Sequence, residues 1–149
     1  MQFILSNFVD RLEEQMILND LTNGCLAEKI HIDKSTVASW RRGECAPSAQ
    51  NFVKLVEFFR CSADYLLGLV EFPNEQIIYS APVCAYGRVL RNLLSERNLS
   101  QENFRKHMEI SSYLLHKWLT DKNAPSVENL VRIASFFEIS VDMLLQRVK

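Results

Sequence analysis

Apolar residues return every three or four positions along most of this chain. Phe8, Val9, Leu12 and Met16 share one helical face. So do Phe52, Leu55, Val56 and Phe59, and later Tyr86, Leu90, Leu93 and Leu94, and Leu130, Ile133, Ala134 and Phe137. Shorter stripes lie between them: Leu26 with Ile30, Val37 with Trp40, Phe104 with Met108, and Leu115 with Trp118. Small hydroxyl and acidic residues stand where these stripes begin. Thr22, Asp33, Ser48, Ser62, Ser100, Ser111, Ser126 and Ser140 are all suited to accept an orphan N–H at a helix start. Pattern and punctuation predict about five short helices in each half of an all-α chain.

The two halves repeat one another. Trp40 and Trp118, the only tryptophans, are 78 residues apart. A shift of 78 aligns Leu21 to Leu67 with Leu99 to Leu145 without a gap, and 14 of 47 positions are identical. Ala46-Pro47-Ser48 falls on Ala124-Pro125-Ser126, Phe58-Phe59 on Phe136-Phe137, and Asp64-x-Leu66-Leu67 on Asp142-x-Leu144-Leu145. Identities gather at apolar and capping positions, which implies one fold used twice with a diverged surface. The expected organisation is a first domain over 1–69, a linker over 70–84 and a second domain over 85–149. Prolines at 73 and 82 break the linker. Gln76 to Tyr79 within it fits either a short strand or an apolar strap.

Composition removes several function classes. With 48% hydrophobic and 23% charged residues in 149, the chain reads as globular. No apolar run approaches the roughly 20 residues that span a bilayer, so no membrane association is expected. The first residues lack a basic stretch and a cleavage site, which makes the cytoplasm the expected location. Cys25, Cys45, Cys61 and Cys84 are widely spaced, without a Cys-x-x-Cys pair, and read as reduced thiols in or near a core rather than metal ligands. His31, His107 and His116 are scattered. Without a phosphate loop, a carboxylate pair or a nucleophile motif, no enzyme activity and no cofactor is expected.

Read together, these stretches resemble the Cro/lambda-repressor-like (XRE) helix-turn-helix family. The resemblance rests on Leu21-Thr22, Leu26-Ala27-Glu28-Lys29-Ile30, Ser35 to Gly43, Ala46-Pro47-Ser48 and Asp64 to Gly68. In the second copy Leu90 to Leu94, Leu99-Ser100-Gln101, Trp118, Ala124-Pro125-Ser126 and Asp142 to Leu145 carry it. It implies two lambda-repressor-like five-helix domains in tandem. Two departures stand out. His31 and Glu109 occupy a turn where the family often has Gly, at a cost of ~1 kcal/mol for the left-handed conformation. Gly43, after the third helix, is matched by Asp121.

The resemblance also implies a function: a DNA-binding transcriptional regulator in which the third helix of one or both domains enters the major groove of double-stranded DNA, where each base pair shows its own donor and acceptor pattern. With Val37 and Trp40 facing inward, Lys34, Ser35 and Ser39 are the expected base contacts. Asn23, Arg41 and Arg42 are the expected phosphate contacts. The second copy offers Ser112, Tyr113 and Lys117 for bases, with Gln101 and Lys122 for the backbone. The lysines and arginines also fit plain solvated charges, and Tyr113 with Leu114 fits a protein interface equally well. The net charge of −1 divides unevenly: −2 over 1–70, −2 over 71–84 and +3 over 85–149. A homodimer and a protein partner docked on the second domain are further partners the sequence admits, and the alternative function is a protein-interaction or antitoxin-like module in which one helix-turn-helix copy no longer binds DNA. Two linked heads would gain avidity of ~10²–10⁴ over one.

Overall fold

The computed structural model describes residues 2–72 and 86–147. The first half contains α1 (Leu5–Leu18), α2 (Asn23–Ile30), α3 (Lys34–Arg41), α4 (Ala49–Phe59) and α5 (Ala63–Leu66). The second contains α6 (Tyr86–Glu96), α7 (Gln101–Met108), α8 (Ser112–Leu119), α9 (Val127–Phe136) and α10 (Val141–Leu144). No strand occurs among the described residues. The linker expected over 70–84 lies outside them from residue 73 onward, and with it the strand or strap at Gln76 to Tyr79 and the thiol of Cys84.

The repeat is visible in the backbone itself. Left-handed residues occur in five pairs, each separated by 78: Asp20 and Asn98, His31 and Glu109, Gly43 and Asp121, Arg60 and Glu138, Gly68 and Gln146. His31 and Glu109, at φ 59° and 55°, close α2 and α7. The next residues, Ile32 and Ile110, donate their amides to Ala27 and Arg105 carbonyls at 3.0 and 3.3 Å. Satisfying these last carbonyls and seating the isoleucines against the core offset the missing glycine.

Capping follows the sequence with one correction. Thr22, Ser48, Ser62, Ser100, Ser111, Ser126 and Ser140 each accept the amide three residues on. Asp33 was expected to cap α3 through its carboxylate, but its side chain makes no such bond. The amide it would take, from Thr36, is already bonded to the Asp33 carbonyl at 3.1 Å. The first turn is tightened, and the side chain is left in solvent.

Trp40 and Trp118 are both 1% exposed and are the largest side chains of a buried set that includes Phe8, Leu12, Leu26, Val37, Phe52 and Leu55 in the first half and Leu90, Phe104, Leu115, Leu130 and Ile133 in the second. The cysteines depart from expectation in part. Cys25, Cys45 and Cys61 are free thiols, but only Cys61 is buried, whereas Cys25 and Cys45 are exposed. Burial pushes the Cys61 thiol up to about 12, so it stays neutral and unreactive.

One exchange accounts for Asp121. In the first copy Gly43 lies beside Val9, whose Cγ2 is 3.9 Å from where a Cβ would stand. In the second copy the small and large residues trade places: Gly87 stands at the Val9 position and Asp121 at the Gly43 position. A Cβ on Gly87 would lie 2.4 Å from the Leu119 carbonyl oxygen, so α6 can approach the end of α8 only as glycine. The Gly87 amide donates to Asp121 Oδ1 at 2.9 Å, which holds the left-handed aspartate in place.

The halves meet through α5 and α10. Asp142 accepts the amides of Ala63 at 2.8 Å and Asp64 at 3.3 Å. Asp64 accepts the amides of Val141 and Asp142, both at 3.0 Å. Each carboxylate thus satisfies the first amides of the other domain's last helix. Ser62 Oγ donates to Asp142 at 2.6 Å, and Arg147 bridges Asp142 at 3.0 Å and the Cys61 carbonyl at 2.9 Å. Burial, followed by a hydrogen bond with Asp142, pushes the Asp64 carboxyl up to about 6.

Candidate nucleic-acid interface

In each copy, two eight-residue helices pack across a tight turn, α2 with α3 and α7 with α8. Burying Val37 and Trp40 on α3 turns Lys34 and Ser35 into solvent, with Ser39 half-buried one turn on. Lys34 lies beside the start of α2, where a Cβ on Gly24 would be 3.8 Å from its Cδ. The first turn of α3 and the N-terminus of α2 therefore share one surface.

The other two cations expected at the DNA face of the first copy, Arg41 and Arg42, are engaged. Arg41 grips Glu13 with two bonds of 2.8 Å and donates to Asn23 Oδ1 at 2.6 Å. Three elements, α1, α2 and α3, are tied by that one half-buried guanidinium. Arg42 is exposed and paired with Glu44 at 2.7 Å. The hydrogen bond, with the Glu44 charge behind it, raises the Arg42 pKa, and the same bond lowers that of Glu44. Of the six residues expected to face DNA here, Asn23 and Arg41 form one cluster. Lys34, Ser35 and Ser39 follow α3, and Arg42 sits at its end.

The second copy has the same frame with different chemistry. Ser112 and Tyr113 are exposed at the start of α8, and Tyr113 keeps 67% of its surface in solvent. Lys117 lies with Nζ 5.0 Å from the Tyr113 ring centroid, a cation–π arrangement that orients both. Leu114 is half-buried and packs against the core, so it contributes little to any outer surface. Gln101 opens α7 in solvent, and Lys122 is exposed in the loop after α8.

A cleft of about 350 Å³ lies between the starts of α7 and α8, lined by Arg91, Gln101, Arg105, Ser112, His116 and Leu119 among others. The first copy closes this place. Glu13, Asn23 and Arg41 occupy the positions that Arg91, Gln101 and Leu119 take 78 residues later. Where the first copy has a closed ion pair, the second has an open cleft lined by Arg91 and His116 beside the Arg105–Glu102 pair. Arg91 donates to the Leu119 carbonyl at 3.3 Å, and Arg105 pairs with Glu102, which raises its pKa. Sequence reading missed Arg91, Arg105 and His116. The signal was present in the charge reversal from Glu13 to Arg91, but the gapless alignment began only at Leu21.

Among the described residues no group of His, Cys, Asp or Glu is arranged to hold a metal, and no helix is long and apolar enough to cross a membrane. Comparison with known proteins agrees with the geometry. A family described as helix-turn-helix matches residues 12–66, and one described as helix-turn-helix domain matches 87–149. An HTH-type transcriptional activator, BcrR, from Enterococcus faecalis is 32% identical over 60 residues, 40% of this chain and 29% of that protein. The chain thus covers less than a third of that relative's length. No solved structure gives a significant match. Two paired-helix motifs of the same geometry, each matched by its own helix-turn-helix family, show that this chain carries two helix-turn-helix domains in tandem.

Proposed function

We propose that the chain is a DNA-binding transcriptional regulator in which α3 and α8 both meet the major groove. The observation that carries this reading is the pair of outward helix starts, Lys34-Ser35 and Ser112-Tyr113, each set by a buried tryptophan on the opposite face. A helix presented this way fits the groove and brings short polar side chains to base edges. Residues 1–69 and 85–149 act as the two heads, joined through 70–84.

Lys34, Ser35 and Ser39 meet bases in the first head, as do Ser112, Tyr113 and Lys117 in the second. Asn23, Gln101, Arg42 and Lys122 meet phosphates, with Asn23 donating from Nδ2 because Arg41 holds its oxygen. Arg41 acts through Asn23 rather than on DNA. Arg91 and His116 add phosphate contacts at the open cleft. One chain supplies both heads, so the reading needs neither a homodimer nor a protein partner. No catalytic step is involved.

The test is salt-dependent binding of the full chain to duplexes selected from a random library. Lys34→Ala with Arg42→Ala is expected to weaken binding and reduce the salt slope by about 1, since Arg42 is the phosphate contact of the two and each such contact releases about one counterion. Unchanged affinity and slope in that variant would remove the first copy as a reader.

A further inference from the structure

The contact between α5 and α10 has a symmetry that bears on the DNA. Each of its backbone bonds has a mate 78 residues along in both partners. Ala63 N to Asp142 Oδ1 becomes Val141 N to Asp64 Oδ1, and Asp64 N to Asp142 Oδ2 becomes Asp142 N to Asp64 Oδ2. A patch that meets its own counterpart in this reciprocal way is isologous, and only a two-fold relation produces it. Repeats stacked head to tail would join two different patches. From this exchange the geometry points to two domains related by an internal two-fold axis passing between Asp64 and Asp142. They are therefore built to read an inverted, not a direct, repeat of half-sites, with one chain per operator. The inference rests on the DNA-binding reading above and specifies its substrate.

The axis is imperfect where the sequences differ, and this adds a second property. Arg147 reaches Asp142 and the Cys61 carbonyl, whereas its mate 78 residues earlier is Leu69, which has no charge to offer. The reading helices differ more: Lys34, Ser35, Ala38 and Ser39 stand opposite Ser112, Tyr113, His116 and Lys117. A homodimer sees the same half-site twice. This chain carries two unlike heads in an inverted relation, so its operator has two unlike halves and is bound in one polarity only.

The surface that would join two single domains is already filled within the chain. Ser62, Asp64 and Asp142 are buried there, and no second copy can reach them while the contact holds. A duplex with one operator should therefore saturate at one chain.

The experiment uses the full chain and the half-sites recovered from a random library. Duplexes carry the two half-sites inverted, directly repeated, or singly. The inverted duplex is expected to bind about 10-fold or more tighter than the direct repeat, and far tighter than one half-site, with one chain bound. Asp64→Ala with Asp142→Ala should reduce that preference to below about 3-fold while affinity for a single half-site is kept. Equal binding of direct and inverted repeats, or of one half-site and two, would overturn the inference and leave DNA binding intact.

A DNA-independent readout separates the two failures. In the free chain, Asp142→Ala should speed hydrogen exchange at the Ala63 amide, and Asp64→Ala should do the same at Val141. If both amides keep their protection, the two-fold contact is wrong whatever the DNA result. If they lose it but no sequence is preferred over random DNA, the DNA-binding reading fails, and the inverted-repeat inference with it.

Discussion

The two domains have one backbone and opposite ways of using charge. In the first, Arg41, Glu13 and Asn23 close the space between the starts of α2 and α3. In the second the same space is a cleft edged by Arg91 and Arg105. One guanidinium fills the space between Glu13 and Asn23, whereas Arg91 and Arg105 bond the Leu119 carbonyl and Glu102 at its edge and leave the space open. The difference shows how a helix-turn-helix frame tolerates divergence. Tryptophan, caps and left-handed turns keep the reading helix in place, and the residues around it are free to be structural or to face a ligand.

The largest expected effect breaks the likeness at the domain contact. Asp142→Ala leaves Arg147 buried beside Cys61 without its carboxylate and strips two amides of their acceptor. Losing one member of a buried pair costs about 3 kcal/mol or more. Asp64→Ala removes acceptors only, and should cost about 1–2 kcal/mol. Chemical denaturation of both variants measures the gap. Equal losses would mean that Arg147 contributes nothing to the asymmetry.

Next is the glycine exchange. Gly87→Ala forces a methyl into the Leu119 carbonyl and should destabilise the second domain by about 2 kcal/mol. Val9→Ala, at the matching position of the first domain, only removes methyls from a half-buried site and should cost about 1 kcal/mol. If calorimetry shows Gly87→Ala to be the milder of the two, the exchange has been misread.

The contact between domains should also respond to pH. The Asp64 carboxyl, ordinarily near 3.8, titrates at about 6 in the folded chain. The titratable group facing it is Asp142, which Arg147 pairs at 3.0 Å. A carboxyl raised in this way binds its proton more tightly folded than unfolded. Its contribution is therefore complete below about pH 4 and is lost as pH rises through 6. Stability of the wild type relative to Asp64→Asn should fall across that window. A difference that stays flat from pH 4 to 7 would show that the Asp64 carboxyl is not raised in the folded chain.

The smallest effects sharpen the comparison at the DNA face. Arg91→Ala is expected to leave thermal stability nearly unchanged and reduce the salt slope of binding by about 1. Arg41→Ala should do the reverse, costing about 1 kcal/mol of stability with little change in slope. Should both arginines change only stability, the open cleft has no phosphate role.

Much of this was legible in the sequence, and for identifiable reasons. Helical period and Ser/Thr caps are local signals, so the ten helices of the described residues and both buried tryptophans could be placed, while His31 and Glu109 were expected in a left-handed turn only through the family resemblance. The Asp64–Asp142 exchange could not. Each aspartate reads locally as a first-turn residue favoured by its own helix dipole. Its actual partner lies 77 or 78 residues away, beyond any local pattern. The retained Asp-x-Leu-Leu in both copies was the only trace. Gly87 likewise means little until Val9 is set beside it, and the loss of Gly43 at Asp121 then becomes half of a trade. Asp33 misled because its residue type is right for a cap, while the carbonyl had already taken the amide.

The central claim is that one chain presents two unlike, oppositely oriented reading heads to one operator. The most direct measurement is titration of the full chain against its selected duplex at physiological salt, with stoichiometry read alongside affinity. Saturation at one chain per duplex is expected, with affinity lost when either half-site is scrambled or when one half-site is turned into direct orientation. Saturation at two chains, or affinity indifferent to the second half-site, would contradict it.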